Sequence, residues 1–168
     1  LITCFFVQVP TLLVAADFSL NEHWKIYTPV LLVSVVLLVF LMKVSTRIPI
    51  AVSFVISLLL MSFGFGLFLL PNLDWKLITV AGILFFAGFN YMEAHMPALV
   101  SSIAPAGRKG SAMGIYASHQ FFGAFLGGLL SGVLTQWMEP DTAIYACIVV
   151  IFIGMLLALG IKSVQRVK

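Results

Sequence analysis

The sequence predicts an all-α polytopic membrane protein with six transmembrane helices. Three observations lead there. Hydrophobic residues make up 62% of the 168 residues, charged residues only 9%, and mean hydropathy is +1.15. A soluble domain carries about 25% charged residues. This chain lacks the polar residues to cover a water-facing surface and would expose large aggregating patches. Its apolar residues run continuously instead of alternating, which favours helices over barrel strands. Its charges gather in short hinges of alternating sign. The net charge of +3 is small and calls for no nucleic-acid partner.

A membrane helix needs about 20 apolar residues. The first span is expected at about 1–16. It is apolar from its first residue, with no basic leader region and no processing site. It reads as a membrane helix whose beginning lies upstream, in a longer protein. The second, 27–42, follows the hinge of Asp17, Glu22 and Lys25, and Pro29 lies near its start, where a missing N–H costs little. The third, 48–70, follows Lys43 and Arg47 and stops at the Pro71-Asn72 turn. The fourth, 76–104, is long enough to tilt or to emerge from the bilayer. The fifth, 110–137, opens after Arg108 and Lys109. The sixth, 142–161, follows the turn Glu139-Pro140-Asp141.

The hinges test this count. Seven of the nine lysines and arginines fall after the second, fourth and sixth spans: Lys43, Arg47, Arg108, Lys109, Lys162, Arg166 and Lys168. All five hinge acids fall on the other side. The positive-inside rule makes the basic side, and both ends of this segment, cytoplasmic. Trp75 and Trp137 then mark the outer boundary.

Pro10 and Pro97 lie inside apolar spans. Aligning them sets Gln8 beside His95, each two residues before the proline. The two spans open successive groups of three helices and cross in opposite directions. That is the pattern of a 3+3 inverted repeat, whose proline-interrupted helices mark transporter binding sites.

Polar residues inside the bilayer nominate a site. Glu93 is a carboxylate in an apolar span, costly against lipid unless it faces a cavity, finds a partner or holds a proton. Asn90, Glu93 and Pro97 share one helix face. On the fifth span Tyr116, His119, Gln120 and Gly123 form a stripe. Glu93 lies about 18 Å from Pro105 and His119 about 14 Å from Gly110 at helical rise, both near mid-membrane. Asn90, Glu93, Tyr116, His119 and Gln120 are therefore expected to form one polar patch on a substrate or proton pathway, with Glu93 the exchangeable group and His119 its partner. Gln8 and His95 are further candidates. His23 is expected to be a solvated hinge residue.

Other features read structurally. Gly123, Gly127 and Ser131, with Ala124, Gly128 and Gly132, form small-residue ridges that let helices approach closely. Cys4 and Cys147 read as small buried hydrophobes. No metal or cofactor site is expected. A serine-protease reading fails for want of a G-x-S nucleophile, and Glu93-Ala94-His95 has the wrong spacing for a metal-binding motif. The expected partners are the lipid bilayer, a small-molecule substrate and protons. A six-helix homodimeric half-carrier and a non-transporting membrane subunit are the alternatives.

The run Met92-Glu93, Pro97, Leu99-Val100-Ser101, Ala104-Pro105-Ala106-Gly107, Lys109-Gly110, Ala112-Met113-Gly114, Tyr116, Gln120-Phe121 and Gly123 to Gly128 carries a resemblance. It is similar to the fourth and fifth helices of the C-terminal half of major facilitator superfamily transporters, in the YajR-type branch of bacterial proton-linked, drug-efflux-like carriers. The resemblance covers about 45 residues. It implies a carrier of two six-helix halves around a central cavity, working by alternating access in the bacterial inner membrane. This chain would be the second half, starting partway through the seventh helix. Branch members carry a small soluble domain after that half. The hinge Lys43 to Pro49 stands where a degenerate counterpart of the family's signature loop would fall.

Overall fold

The computed structural model describes residues 1–139 and 141–160. Six α-helices account for nearly all of them: α1 Ile2–Ala15, α2 Trp24–Ser45, α3 Ile50–Leu67, α4 Trp75–Ile103, α5 Lys109–Trp137 and α6 Asp141–Leu159. A 3-10 turn, Leu20–Glu22, leads into α2. Pro140, Lys162, Arg166 and Lys168, used above for a turn and for orientation, lie outside the described residues.

Four helices, α2, α3, α4 and α6, are long and apolar enough to cross a membrane. The other two fall short for different reasons. α1 has 14 residues, about 21 Å at helical rise against a core of about 30 Å. α5 has 29 residues, but glycine, serine, histidine and glutamine dilute its hydrophobicity.

The helices pack unequally. α4 lies against both α2 and α3, and α6 rests on α3. α5 has its main partner in α1 and touches α4 and α6 less. The core follows this pattern. Phe5 of α1 stacks on Phe85 of α4 with ring centres 4.5 Å apart, and Phe65 of α3 meets Phe85 edge-on at 5.3 Å. Such pairs contribute beyond simple burial.

The closest helix approach is between α3 and α4. A methyl group added at Gly64 would lie 2.7 Å from the Ala81 carbonyl oxygen, and one at Gly88 would collide with the Ser57 carbonyl. Only glycine fits there. The small-residue ridge expected on α5 behaves otherwise. Gly123 and Gly132 have open space beside them, while a methyl group at Gly127 would lie 2.8 Å from Thr3 Oγ1 of α1 and Ser131 is buried, so the ridge is tight only along its Gly127–Ser131 part. The apolar sequence marks small residues but not the helix they meet, and the tight seam formed elsewhere. Its own signal is Ser57 and Gly64 on α3 against Ala81 and Gly88 on α4, each pair two helical turns apart.

His23 corrects a further expectation. It is buried, not solvated: its Nε2 lies 3.4 Å from the Phe18 carbonyl, and its ring packs against Phe18 and Tyr27. The hinge folds back under α2, and the histidine plugs the gap. Cys4 and Cys147 are both buried, free and in contact across α1 and α6. Ser131 of α5 donates to the Cys4 sulfur at 3.5 Å.

Candidate functional site

α4 is fixed at its start by Asp74, whose carboxylate accepts from the Leu77 N–H at 2.8 Å. This is a side-chain cap for an otherwise orphaned donor. Ile78, Ala81, Phe85, Gly88 and Tyr91 then bury one face of the helix against α2 and α3. That burial ends at Tyr91 and fixes the rotation of the next turn of α4. Glu93, two residues on, is therefore turned away from the core and is exposed.

Across from it, the Gln120 Nε2 of α5 donates to Glu93 Oε1 at 2.5 Å. Ten residues separate Glu93 from Ile103, about 15 Å at helical rise. Gln120 lies a similar distance into α5, so the two helices meet well inside their length. Pro97 sits inside α4. Its ring nitrogen carries no hydrogen, so it cannot donate to the Glu93 carbonyl one turn back. Glu93 thus offers a carboxylate and a backbone carbonyl without its regular helical partner. Both are acceptors.

Tyr116, one turn before Gln120, is half-buried and lies within electrostatic range of the Glu93 carboxylate. His119 is exposed and bonds to its own helix, with Nδ1 2.8 Å from the Ile115 carbonyl. A carbonyl only accepts, so Nδ1 carries the hydrogen of this contact. The sequence paired Glu93 with His119, but the hydrogen bond goes to Gln120. Adjacent residues on a helix differ by about 100° in direction, and Gln120 is the one that faces α4.

The remaining sequence candidates point elsewhere. Asn90 turns toward α2, its Nδ2 donating to Ser34 Oγ at 3.2 Å. His95 donates from Nδ1 to the Tyr91 carbonyl at 3.0 Å and stacks on the Tyr91 ring at 4.0 Å. Gln8 is buried and ties α1 to α5 by donating to Thr135 Oγ1 at 2.7 Å. The structure thus gathers Glu93, Gln120 and Tyr116, with His119 beside them, and separates Asn90, His95 and Gln8. Ser34 and Thr135 went unnoticed in the sequence. Their only signal was a lone hydroxyl in an apolar span.

The site is a carboxylate held by a neutral amide between the two longest helices, α4 and α5, open on one side. Residues 2–167 match the family model of the Major Facilitator Superfamily. The chain belongs to the major facilitator superfamily. Among its relatives is the inner membrane transport protein YajR of Escherichia coli strain K12, 38% identical over 130 residues, covering 76% of this chain and 28% of YajR. An uncharacterized transporter of Buchnera aphidicola subsp. Acyrthosiphon pisum is 28% identical over 123 residues, covering 73% of this chain and 32% of that protein. A second, from Buchnera aphidicola subsp. Baizongia pistaciae, is 27% identical over 140 residues, covering 81% of this chain and 35% of that protein. This major facilitator chain spans about a third of the length of these curated relatives. The family is one of membrane transporters, which agrees with the apolar helices and with the resemblance read from the α4–α5 stretch.

Proposed function

We propose that this chain forms one six-helix half of a proton-coupled secondary carrier that exports small amphipathic molecules by alternating access. The observation that carries this reading is Glu93: a carboxylate exposed deep within α4 and held by Gln120. Against lipid, an ionised acid at that depth costs about 2.5–3.5 kcal/mol even on permissive scales. The face of α4 and α5 that bears it therefore lines a polar cavity closed by further protein. Glu93 is the group that exchanges a proton, His119 is the base beside it that can receive one, and Gln120 and Tyr116 meet the substrate. Asn90, His95 and Gln8 act at the margin, as ties that hold the walls.

Three further features support the reading. Exchanging α1, α2 and α3 for α4, α5 and α6 maps almost every helix contact onto another: α2 against α4 becomes α5 against α1, and α3 against α4 becomes α6 against α1. Among the described residues the α4–α5 contact lacks its counterpart, and the paired contacts differ in extent. That is what a 3+3 repeat produces. The hinge charges, read by the positive-inside rule, support a cytoplasmic basic side. YajR, named an inner membrane transport protein, supplies the membrane. In this arrangement α1 and α5 also cross the bilayer, and the chemistry is translocation without a covalent step.

The test uses the full-length carrier in liposomes that enclose a pH-sensitive dye, with an amphipathic fluorescent cation as the transported probe. Glu93→Gln is expected to abolish proton movement coupled to the probe while leaving the protein folded. Undiminished coupled movement would remove Glu93 from the mechanism.

A further inference from the structure

A cleft lies away from Glu93, where the end of α2 and the start of α3 meet α4. It has a volume of about 170 Å³, several times the roughly 30 Å³ share of one water. Phe40, Leu41, Val44, Ile48, Ile56 and Tyr91 form most of its wall. Three serines also line it, yet each bonds to its own helix: Ser45 to the Met42 carbonyl, Ser53 to that of Pro49 and Ser57 to that of Ser53. The wall makes no polar demand on an occupant. A polar ligand would lose its hydration there without compensation, so the occupant of the cleft is an apolar chain.

The mouth has the opposite character. Phe40 is exposed beside it. Lys43 and Arg47 lie within one turn of the lining residues Val44 and Ile48, and both are exposed. The α2–α3 connection contains no acid. The acids nearest along the chain, Glu22 and Asp74, sit beyond the far ends of α2 and α3. α3 also starts beside this mouth, at Pro49, with no side-chain cap on its first N–H groups. An apolar slot at a helix end with cations at its rim matches a molecule with an apolar tail and an anionic head. Basic pockets between membrane helices at the cytoplasmic side take such lipids.

We propose that this cleft is a specific site for an anionic phospholipid. One acyl chain enters between α2, α3 and α4, and the phosphate rests on Lys43 and Arg47. The site is separate from the Glu93 seam. It lies on the dry side of the molecule, where the lipid would reinforce the contact of α2 and α3 with α4.

Native mass spectrometry of the full-length protein tests this, with phosphatidylglycerol and phosphatidylcholine of identical acyl chains as probes. The wild type is expected to retain phosphatidylglycerol roughly thirtyfold more strongly, since each of the two basic side chains at the surface contributes about 1 kcal/mol. The double variant Lys43→Gln, Arg47→Gln is expected to lose that preference and keep weak binding of both lipids. Val44→Trp, which fills the slot, is expected to lose both. Thermal unfolding shows whether the variants are folded. If Val44→Trp is not, Ile48→Trp in the connecting loop repeats the measurement. Equal retention of the two lipids by the wild type overturns the proposal. So does a charge-free variant that still prefers phosphatidylglycerol, or a filled slot that holds it as before.

Discussion

α4 has two sides that differ in kind. Toward α3 it is dry and tight: Gly64 and Gly88 admit no added methyl, and Phe85 is fully buried against Phe5 and Phe65. Toward α5 it is loose and polar. Glu93 and Gln120 are exposed, and Ser131 is the only buried residue on α5. Close-packed surfaces resist displacement because any shift opens voids, whereas a lightly packed seam joined by the Glu93–Gln120 hydrogen bond can part and reform. The same helix is thus anchored on one side and left free on the other. The alternating-access motion proposed above would use that division.

The largest expected break of this contrast is on the tight side. Phe85→Ala removes a ring shared by two helices and is expected to cost about 3–5 kcal/mol, read as a fall in unfolding temperature in detergent. Gly88→Ala comes next. Its methyl meets the Ser57 carbonyl, and the forced separation of α3 and α4 is expected to cost about 1–3 kcal/mol. The control is Gly123→Ala on α5, where nothing lies in the way. Alanine is the better helix former by about 1 kcal/mol, so this change is expected to leave stability level or raised. A loss at Gly123 as large as that at Gly88 would erase the distinction between the two seams.

Smaller effects sharpen the contrast. Gln8→Leu removes the tie between α1 and α5. Thr135 keeps its bond to the Ser131 carbonyl at 2.7 Å, so the cost is expected near the roughly 0.6 kcal/mol average for such bonds in membranes. Gln120→Leu has the least effect on stability, within about 0.5 kcal/mol for an exposed position. It is nonetheless expected to slow coupled transport, because Glu93 loses its one donor. Unfolding curves and liposome flux on the same preparations separate the two outcomes.

The sequence and the structure agree where local chemistry decides. Continuous apolar runs and charged hinges mark six helices. A carboxylate in such a run marks Glu93 because hydrocarbon tolerates it so poorly. The spacing along α5 also set Gln120 on the stripe that meets Glu93. What the sequence left open depends on which helix meets which. Cys4 and Ser131, or Gln8 and Thr135, are 127 residues apart, and nothing in either apolar span names the other. The glycines of α5 looked like the packing ridge because they are many, yet Gly64 and Gly88, one per helix, make the closer seam. His23 read as solvent-facing because it lies among hinge charges, and only the fold of the hinge brings Phe18 over it. The choice of Gln120 over His119 as partner rests on helix rotation, which the buried face of α4 sets from the other side.

In the proposed mechanism Glu93 takes up and releases a proton in the loose seam while the tight seam stays fixed. Difference infrared spectroscopy of the full-length protein in membranes tests it most directly, comparing wild type with Glu93→Gln on acidification. A carboxylic-acid carbonyl band that appears in the wild type and is missing from the variant is expected, with the amide bands of the helices unchanged in both. Identical spectra from the two proteins would contradict the account.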